Sequence, residues 1–378
     1  MATIVIGAGL AGLNAALTLQ EAGEEVQLLE ASDGVGGRAR SDYIDGFILD
    51  RGFQLINNNY SEIKRLGLDR EIGFVKFPRD VDVVTPMGIS TIGDPRSSLL
   101  SAISSPLASL REKVAFLSYL AATSKAGESV EDEALRRGLG NLYLNVLKPF
   151  LRGVYLAELS EVDASYGKNI IRTFIRGDSG LPTAGVSVLA EALAARINEI
   201  QLNSPVTSLE EFRGKNIIIA TDARTADQLL GRVSLAQYVD SYTWYHWVPS
   251  DIIKSRNLRI TSAQSPIVNS IALSNSIRQY APEGKSLIAT TSLQDVNGQE
   301  IESELEKFWQ VSGFNLVKKY QIRDSLPLFA PTKKTIVTSS KVADGIYIAG
   351  DYMTCGSQDG ALLSGRLAAN ELLDQQGR

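Results

Sequence analysis

A glycine motif at the N-terminus constrains the fold more strongly than any other feature of this sequence. Ile4-Val5-Ile6 is a short β-branched run, which is typical of a buried parallel strand. Gly7, Gly9 and Gly12 follow with G-x-G-x-x-G spacing, and apolar residues then recur at helical intervals. Glycines at this spacing permit a tight turn, a close approach of the backbone to a pyrophosphate, and close packing of helix on strand. The motif therefore predicts a β-α-β unit that binds a dinucleotide.

The second strand of this unit ends in an acidic residue. The run from Val26 to Leu29 is followed by Glu30. A carboxylate at this place accepts hydrogen bonds from the ribose hydroxyls of an adenosine. It also disfavours a ribose 2′-phosphate, so NADP is the least expected dinucleotide.

The C-terminus contains a second strand-turn-helix pattern, in AGDYMTCGSQDGALLSG (349–365). An apolar run ends at Gly350-Asp351, and Gly360-Ala361 open an amphipathic helix. Alone, this pattern is equally consistent with a strand end and a helix-capping acid. Together with the N-terminal motif, it predicts that both ends of the chain meet around one nucleotide.

A second glycine-rich loop follows Glu30. Gly34, Gly36 and Gly37 provide another flexible turn, and Arg38 adds a guanidinium that suits a pyrophosphate. NAD enzymes rarely need such a loop directly after the ribose acid. FAD is therefore favoured over NAD.

These motifs resemble those of the flavin-containing amine oxidoreductase superfamily, which includes monoamine oxidases, protoporphyrinogen oxidase and bacterial phytoene desaturases. The resemblance rests on Glu30 with GGR and on FILDRGFQL (47–55). KPFLRGVYL (148–156) resembles the desaturase-like branch. LPTAGVSVLAEALAARI (181–197) resembles the family's proline-glycine-glycine loop, although Ala184 replaces the first glycine. The resemblance implies an α/β fold: a Rossmann-like FAD-binding domain of the glutathione-reductase type with an inserted α+β substrate domain.

The resemblance also implies a discontinuous domain organisation. The FAD-binding domain is expected to comprise residues 1–78, 180–235 and 322–378. The substrate domain is expected to comprise residues 79–179 and 236–321.

The predicted cofactor-binding residues come from these glycine loops and from segments that match the family. NSPVTSLE contains a valine expected to contact the adenine, and IIIATDA closes the cofactor sheet. Cys355 does not match the place where some amine oxidases tether FAD, so noncovalent FAD is predicted. The predicted set is Gly7, Ala8, Gly9, Leu10, Ala11, Gly12, Glu30, Ala31, Gly36, Gly37, Arg38, Gly52, Phe53, Gln54, Val206, Ala220, Gly350, Asp351, Gly360 and Ala361.

Five residues are candidates for contact with a substrate: Gln54, Arg152, Tyr155, Trp244 and His246. No catalytic residue is assigned, because the cofactor carries the redox chemistry in such enzymes. His246 is the sole histidine, and alternation on a strand places it on the same face as Trp244. Packing in the sheet is favoured over a role for His246 as proton acceptor. For Arg152, a structural salt bridge competes with binding of an acidic substrate group.

The inserted segments contain several predicted elements. VDVVTP (81–86) and GISTIG (88–93) predict a hairpin. Ser129 followed by acids predicts a helix start, and residues 302–314 predict an amphipathic helix. Residues 99–120 are apolar enough to contact lipid, but core packing is favoured.

Composition excludes several classes of function. The net charge of −5, from 38 Lys and Arg against 43 Asp and Glu, argues against a nucleic-acid partner. One cysteine and one histidine exclude an internal disulfide and a zinc cluster, so no metal is expected. No apolar run has the length of a membrane span. A cytoplasmic protein is expected, with peripheral membrane contact not favoured.

The leading hypothesis for function is an FAD-dependent dehydrogenase or oxidase that removes a hydride from a C–H bond of a hydrophobic small molecule. Oxygen or a quinone is the expected electron acceptor. One alternative is an amine oxidase that produces an imine and hydrogen peroxide. A second is a redox-neutral isomerase that needs reduced FAD, and a third is a noncatalytic FAD-binding scaffold.

Overall fold

The computed structural model describes residues 2–85, 87–93, 109–232, 236–332 and 339–377. Its strands are β1 Thr3–Ile6, β2 Val26–Leu29, β3 Ser41–Ile44, β4 Phe47–Asp50, β5 Ile56–Asn57, β6 Phe74–Lys76, β7 Val81–Thr85, β8 Gly88–Ile92, β9 Ser179–Pro182, β10 Ile200–Gln201, β11 Ile217–Ile219, β12 Tyr238–Pro249, β13 Leu258–Thr261, β14 Ile267–Ala272, β15 Lys285–Ser292, β16 Asn315–Pro327, β17 Lys341–Ala343 and β18 Ile346–Ile348. Its main helices are α1 Leu10–Glu21, α2 Ser61–Arg65, α3 Leu110–Ala121, α4 Val130–Arg136, α5 Lys148–Tyr155, α6 Ala164–Arg176, α7 Ser187–Ala194, α8 Ala223–Leu230, α9 Gly298–Trp309 and α10 Gln358–Gln375.

A six-stranded sheet brings both ends of the chain together. Its strand order is β10-β2-β1-β11-β18-β17, and all pairs are parallel except β17 with β18. β1 lies between β2 and β11, and β18 follows next to β11. The strands therefore come from the start, the middle and the end of the sequence. The predicted α/β class is confirmed.

Helices α1 and α10 pack so closely that a glycine is required between them. A methyl group on Gly365 of α10 would lie 2.0 Å from the carbonyl oxygen of Ala11 in α1. Since that neighbour is backbone, it cannot rotate away. This close approach positions the C-terminal helix beside the N-terminal glycine motif.

The second sheet has seven strands in the order β16-β12-β15-β14-β13-β7-β8. The predicted hairpin is confirmed, because β7 and β8 pair antiparallel from Val81 with Ile92 to Thr85 with Gly88; Pro86 lies outside the described residues. The predicted domain boundary at 322 falls inside β16, which pairs with β12 as far as Pro327. Sheet pairing therefore continues past the place where the family resemblance set the boundary.

Two predicted helix starts differ in accuracy. Ser129 caps α4 as predicted, since its Oγ accepts a hydrogen bond from the Asp132 amide at 3.0 Å. The helix predicted over 302–314 instead runs from Gly298 to Trp309. Asn297 caps it by accepting the Glu300 amide at 2.9 Å, so its N-terminus lies one turn earlier than the apolar pattern indicated.

Helix α3 exposes its apolar stripe. Leu110, Val114 and Leu117 are 68%, 60% and 66% exposed, whereas Tyr119 is buried. The favoured prediction of core packing is therefore wrong for this stripe, and residues 99–108 lie outside the described part of the chain. None of the described helices has the length and hydropathy that a bilayer-spanning segment needs.

A buried carboxylate links three helices beneath the six-stranded sheet. Glu62 of α2 accepts hydrogen bonds from Arg366 of α10 at 2.6 Å and from Arg65 at 2.8 Å. Arg65 also donates to Asn14 of α1, whose Nδ2 donates to the Leu362 carbonyl at 2.6 Å. Burial would raise the pKa of Glu62, but the hydrogen bonds from Arg366 and Arg65 outweigh burial and lower it.

We expect Glu62→Gln to destabilise the fold by about 2 kcal/mol at neutral pH, because it removes charged hydrogen bonds from a buried site. The folded-state pKa lies below the unfolded value. The contribution is therefore complete above the unfolded pKa of about 4.3 and is lost as pH falls through the folded one. Urea unfolding of both proteins across this pH range measures the difference.

Glu210→Gln is the matched control, because Glu210 pairs with Arg213 where both side chains are mostly exposed. We expect this variant to change the free energy of unfolding by less than about 0.5 kcal/mol. Equal effects of the two substitutions would contradict the structural role of Glu62.

Candidate functional site

The two sheets and the helices α5 and α6 border a cavity of about 910 Å³. This volume is in the range of small-molecule and cofactor sites. Most of the predicted cofactor-binding residues line its wall: Gly7, Gly9, Leu10, Ala11, Glu30, Ala31, Gly36, Gly37, Arg38, Gly52, Phe53, Gln54, Val206, Ala220, Gly350, Asp351 and Ala361.

Three predicted residues lie behind this wall. Ala8 donates its amide to Glu30 Oε2 at 2.7 Å. A methyl on Gly12 would lie 1.8 Å from the Gly7 carbonyl oxygen, and one on Gly360 would lie 2.1 Å from that of Cys355. Both glycines therefore permit close backbone packing. For Gly360, the expected contact with the cofactor is replaced by this role within the chain.

The first turn of α1 forms an uncapped cradle. Gly9 is the N-cap, no side chain caps the helix, and its first turn carries no acidic residue. A methyl group on Gly9 would meet no protein atom within 4 Å. Beside it, the Gly36 amide donates to the Ala8 carbonyl at 2.8 Å, which holds the second glycine loop in place. Free N–H groups at a helix start, facing open space, fit a pyrophosphate.

Glu30 is fixed at the carboxyl end of β2. Its Oε2 accepts the Ala8 amide, and its Oε1 accepts the amide and the hydroxyl of Ser32 at 2.9 and 2.7 Å. A carboxylate offers about four lone-pair sites, so capacity for a ligand hydroxyl remains. Binding of an adenosine ribose by Glu30 stays a prediction.

Arg38 joins three segments of the chain rather than facing the cavity alone. Its Nη2 lies 2.8 Å from Asp351 Oδ1, and its Nη1 donates to the carbonyls of Ser325 and Asp324 at 2.6 and 3.3 Å. Burial would lower the pKa of Arg38, but the charge of Asp351 outweighs it and raises the pKa. The guanidinium therefore ties the second glycine loop to β16 and to the C-terminal turn.

The start of α10 is capped within the chain. Ser357 Oγ accepts the Gly360 amide at 3.0 Å, and Asp359 accepts the amides of Ser61 and Glu62 at 3.1 and 2.8 Å. Ala361 lies on the cavity wall. The helix end thus approaches the cavity, but the amide of Gly360, the third residue of α10, is already used.

The wall residues from α5, α6, their flanking turns and one face of the seven-stranded sheet are mostly apolar, and we call the part of the cavity beside them the inner chamber. Its walls include Phe150 and Phe174, whose rings meet edge to face at 5.5 Å. One face of the seven-stranded sheet contributes the polar side chains of Thr243, Thr291 and Asn269. The other wall residues of the chamber are Tyr60, Gly153, Val154, Tyr155, Leu156, Tyr166, Ile170 and Leu258.

Two of the five substrate-side candidates line the cavity, and Arg152 does not. Gln54 donates to the Arg38 carbonyl at 2.7 Å and accepts from Gln358 Nε2 at 3.1 Å. Tyr155 donates its hydroxyl to the Gly167 carbonyl at 2.7 Å. Arg152 pairs with Glu158 at 2.7 Å outside the cavity wall, so its salt bridge is structural.

Trp244 and His246 are wrong as substrate-side candidates. They lie on the face of β12 opposite to Thr243 and pack toward α9. The His246 side chain is fully buried, and its ring meets Phe314 edge to face at 6.2 Å. Burial lowers the pKa of His246 to about 4. His246 therefore packs within the sheet, which was the favoured prediction for this residue.

Sequence reasoning missed several residues of the inner chamber, including Tyr60, Tyr166, Thr291 and Asn269. Thr243 and Thr291 are cross-strand partners, as are Thr291 and Asn269. Strand alternation separates the two faces of β12, but it does not say which face meets a cavity. That information appears only once the strands are paired.

A model of the family described as flavin-containing amine oxidoreductase matches residues 10–232. Lysine-specific histone demethylase 2 from Homo sapiens is 29% identical over 258 residues, which cover 62% of this chain and 30% of that protein. Hydroxysqualene dehydroxylase from Zymomonas mobilis is 30% identical over 198 residues, covering 46% of this chain and 44% of that one. The matched region thus spans less than half of each relative. The crystal structure of an oxidoreductase from Methanosarcina mazei has a TM-score of 0.77 at 19% identity, covering 99% of this chain and 100% of that one.

We expect His246→Phe to remove a pH dependence of stability. The folded-state pKa of about 4 lies below the ordinary value of about 6.5, so the unfolded chain binds more protons between them. Stability therefore falls as pH drops through this window, by up to about 3 kcal/mol. Chemical unfolding at several pH values measures the slope.

Glu302→Gln is the control for this experiment, because Glu302 lies 3.9 Å from His246 Nε2 and is 43% exposed. We expect that variant to keep the slope. A slope that persists unchanged in His246→Phe would show that another group is its source.

We expect Gly9→Ala to leave the protein folded but to reduce its flavin content about tenfold or more, a loss of about 1.4 kcal/mol in binding. The added methyl meets no protein atom but occupies the cradle at the start of α1. Flavin absorbance per protein and the melting temperature of flavin-free protein are the two measurements.

Gly298→Ala provides the matched control at the first residue of α9, where a methyl also meets no atom within 4 Å. It should retain both flavin and stability. Full flavin occupancy in Gly9→Ala would exclude a phosphate at this helix start.

Proposed function

The chain belongs to the flavin-containing amine oxidoreductase family, and on this premise we propose that it is an FAD-dependent oxidoreductase acting on a hydrophobic small molecule. The proposed reaction removes a hydride from a C–H bond of the substrate. Bound flavin would supply the two-electron oxidant, with oxygen or a quinone as the final acceptor. The protein's own residues hold the two molecules and exclude water.

FAD is proposed as the flavin because groups on the cavity wall suit a dinucleotide. The cradle at Gly9 suits a pyrophosphate, and Glu30 suits a ribose. Asp351 and Gln54 lie on the same wall toward the inner chamber. These groups would hold an adenosine half and a flavin half at one site.

Noncovalent binding is supported by the state of Cys355, the single cysteine of the sequence. Its Sγ lies 3.0 Å from Ser357 Oγ, and burial raises the pKa of its thiol. A protonated thiol is a poor nucleophile. The single histidine, His246, lies away from the cavity.

The observation that carries the substrate class is the apolar lining of the inner chamber. Four carboxylates lie on the described cavity wall, and none of them belongs to the inner chamber. They are Glu30, Asp222, Asp324 and Asp351. Each is already engaged, Asp222 as the cap of α8 and Asp324 with Arg224 at 2.9 Å. A protonated amine in the chamber would have no carboxylate partner there, and an unpaired buried charge is costly.

Amine oxidation remains the second candidate, because the family match itself favours it. The two reactions differ in the substrate that reduces the flavin. A redox-neutral isomerase would differ from both, because it would turn over only after reduction and would consume no acceptor.

We expect the purified protein to be yellow and to lose its flavin absorbance anaerobically with hydrophobic substrates rather than with amines. The panel comprises polyenes, porphyrinogens, long-chain alcohols and mono- and polyamines. Recovery of colour with air indicates that oxygen is the electron acceptor. Recovery only after a quinone is added indicates that a quinone is the acceptor. Reduction by amines alone would overturn the proposed substrate class.

Phe174→Asp tests the inner chamber directly, because it places a charge on the apolar wall. We expect it to keep bound flavin but to lose substrate-dependent bleaching. Leu135→Asp is the matched control, since Leu135 is 50% exposed on a neighbouring helix. Bleaching at the wild-type rate in Phe174→Asp would show that the chamber does not hold the substrate.

A further inference from the structure

One polar side chain of the inner chamber lacks the partner that its burial calls for. Asn269 lies on β14, is 5% exposed, and lines the cavity. Its Oδ1 has no hydrogen-bond partner among the described residues. An unsatisfied buried polar atom costs about 1–3 kcal/mol, so one in a native site calls for an explanation.

The position of Asn269 is fixed from two sides. Asn269 pairs with Thr291 of β15, which pairs with Thr243 of β12, so the three side chains form a polar row across the sheet. On the other side, α5 passes over the amide at Gly153. A methyl group on Gly153 would lie 2.6 Å from Asn269 Nδ2. Glycine at this position therefore avoids a clash with the amide.

The members of this polar row are not equivalent. Thr243 Oγ1 accepts the Phe53 amide at 3.2 Å, so it already serves the loop beside it. The Asn269 amide remains as a polar group with an unpaired acceptor in a chamber whose walls are mostly apolar. A ligand that fills the chamber with hydrocarbon alone would leave this capacity unmet.

We propose that the substrate is an alcohol, with an apolar body in the inner chamber and a hydroxyl group hydrogen-bonded to Asn269. The inference rests on the proposed function and narrows its substrate class. The unmatched atom is an acceptor, so its partner must donate a hydrogen bond. A hydroxyl does so without a charge and can also accept from Nδ2, whereas an ammonium group would lack a carboxylate in the chamber.

Asn269 is therefore a specificity-determining residue. A site built to bind a hydroxyl rejects analogues that lack it, because its own polar group then stays unpaired. The walls give affinity for the apolar body, and the amide sets which end of the substrate reaches the sheet.

The test compares alcohols with their methyl ethers, which keep the body and the oxygen but lose the O–H donor. Decanol, farnesol and geranylgeraniol and the methyl ether of each are titrated into the flavin-containing protein. Binding is followed by the flavin absorption spectrum and by the melting temperature. We expect at least one alcohol to bind about 5- to 150-fold more tightly than its ether, corresponding to about 1–3 kcal/mol for one buried unpaired group.

Asn269→Leu keeps the branched shape of the side chain and removes its polar atoms. We expect this variant to lose the preference for the alcohol and to melt about 2 °C higher than the wild type without ligand, because it removes an unsatisfied buried group. A purely structural asparagine would instead lower the melting temperature when replaced. Asn269→Val serves the same comparison if the leucine variant does not fold.

Asn275 is the matched control, in the 3₁₀ helix that directly follows β14. Its Nδ2 donates to the carbonyls of Ile253 and Ser255 at 2.8 and 2.9 Å, and its Oδ1 accepts from Ser286 at 2.8 Å. We expect Asn275→Leu to lower the melting temperature and to leave the alcohol preference unchanged.

Three results would overturn the proposal: no alcohol binds, alcohol and ether bind equally, or Asn269→Leu keeps the preference. Loss of flavin in Asn269→Leu would also overturn it, because the cofactor would then be the partner of the amide. The melting-temperature comparison needs no flavin. A colourless protein would therefore end the proposed function, while the alcohol series still decides the role of Asn269.

Discussion

The close packing of α1 on α10 is the contact on which the rest of the structure depends. Gly365 brings the C-terminal helix against the backbone of Ala11, and no larger residue fits there. This contact brings the turn at Asp351 to the second glycine loop, where Arg38 pairs with it at 2.8 Å. Arg38 also holds β16 through the Ser325 carbonyl. One backbone contact thus leads to a cavity wall built from distant parts of the chain, and hydrogen bonds to charged groups hold it together.

The cavity combines two environments because two different sheets border it. Parallel strands of the six-stranded sheet end at one edge, where turns and helix starts present backbone N–H groups and acids such as Glu30. The seven-stranded sheet presents a face instead, so its contribution is side chains at every second position. Helices α5 and α6 cover that face with apolar groups such as Phe150 and Phe174. The side of the cavity formed by the glycine loops and Glu30 is therefore polar, and the inner chamber is mostly apolar.

Sequence reasoning located the wall residues of the glycine loops far better than those of the inner chamber, for a physical reason. Turns such as that at Gly7, with φ of 100°, need glycine at fixed spacing, so local sequence reveals them. The inner chamber depends on which strands pair, and Asn269 meets Thr291 only through the long-range order of the sheet. His246 was predicted as a substrate-side candidate for the same reason. Alternation along β12 defines two faces, but it does not show which face α9 covers. The start of a helix could be predicted where a capping side chain, such as that of Ser129, and the amide that it accepts lie within four residues of each other.

His246 and Asn269 are buried in the seven-stranded sheet with polar atoms that have no partner among the described residues, and their surroundings differ. The ring nitrogens of His246 have no hydrogen bonds among the described residues, and aromatic rings of Trp244 and Phe314 surround it. The cavity described above is not lined by His246. The missing hydrogen bonds therefore cost stability, and the neutral state of the ring keeps that cost smaller than a buried charge would. Asn269 bears the same kind of cost on the face that borders a cavity. An amide cannot reduce its polarity by losing a proton, but a hydrogen-bond donor bound on the cavity side can offset its cost.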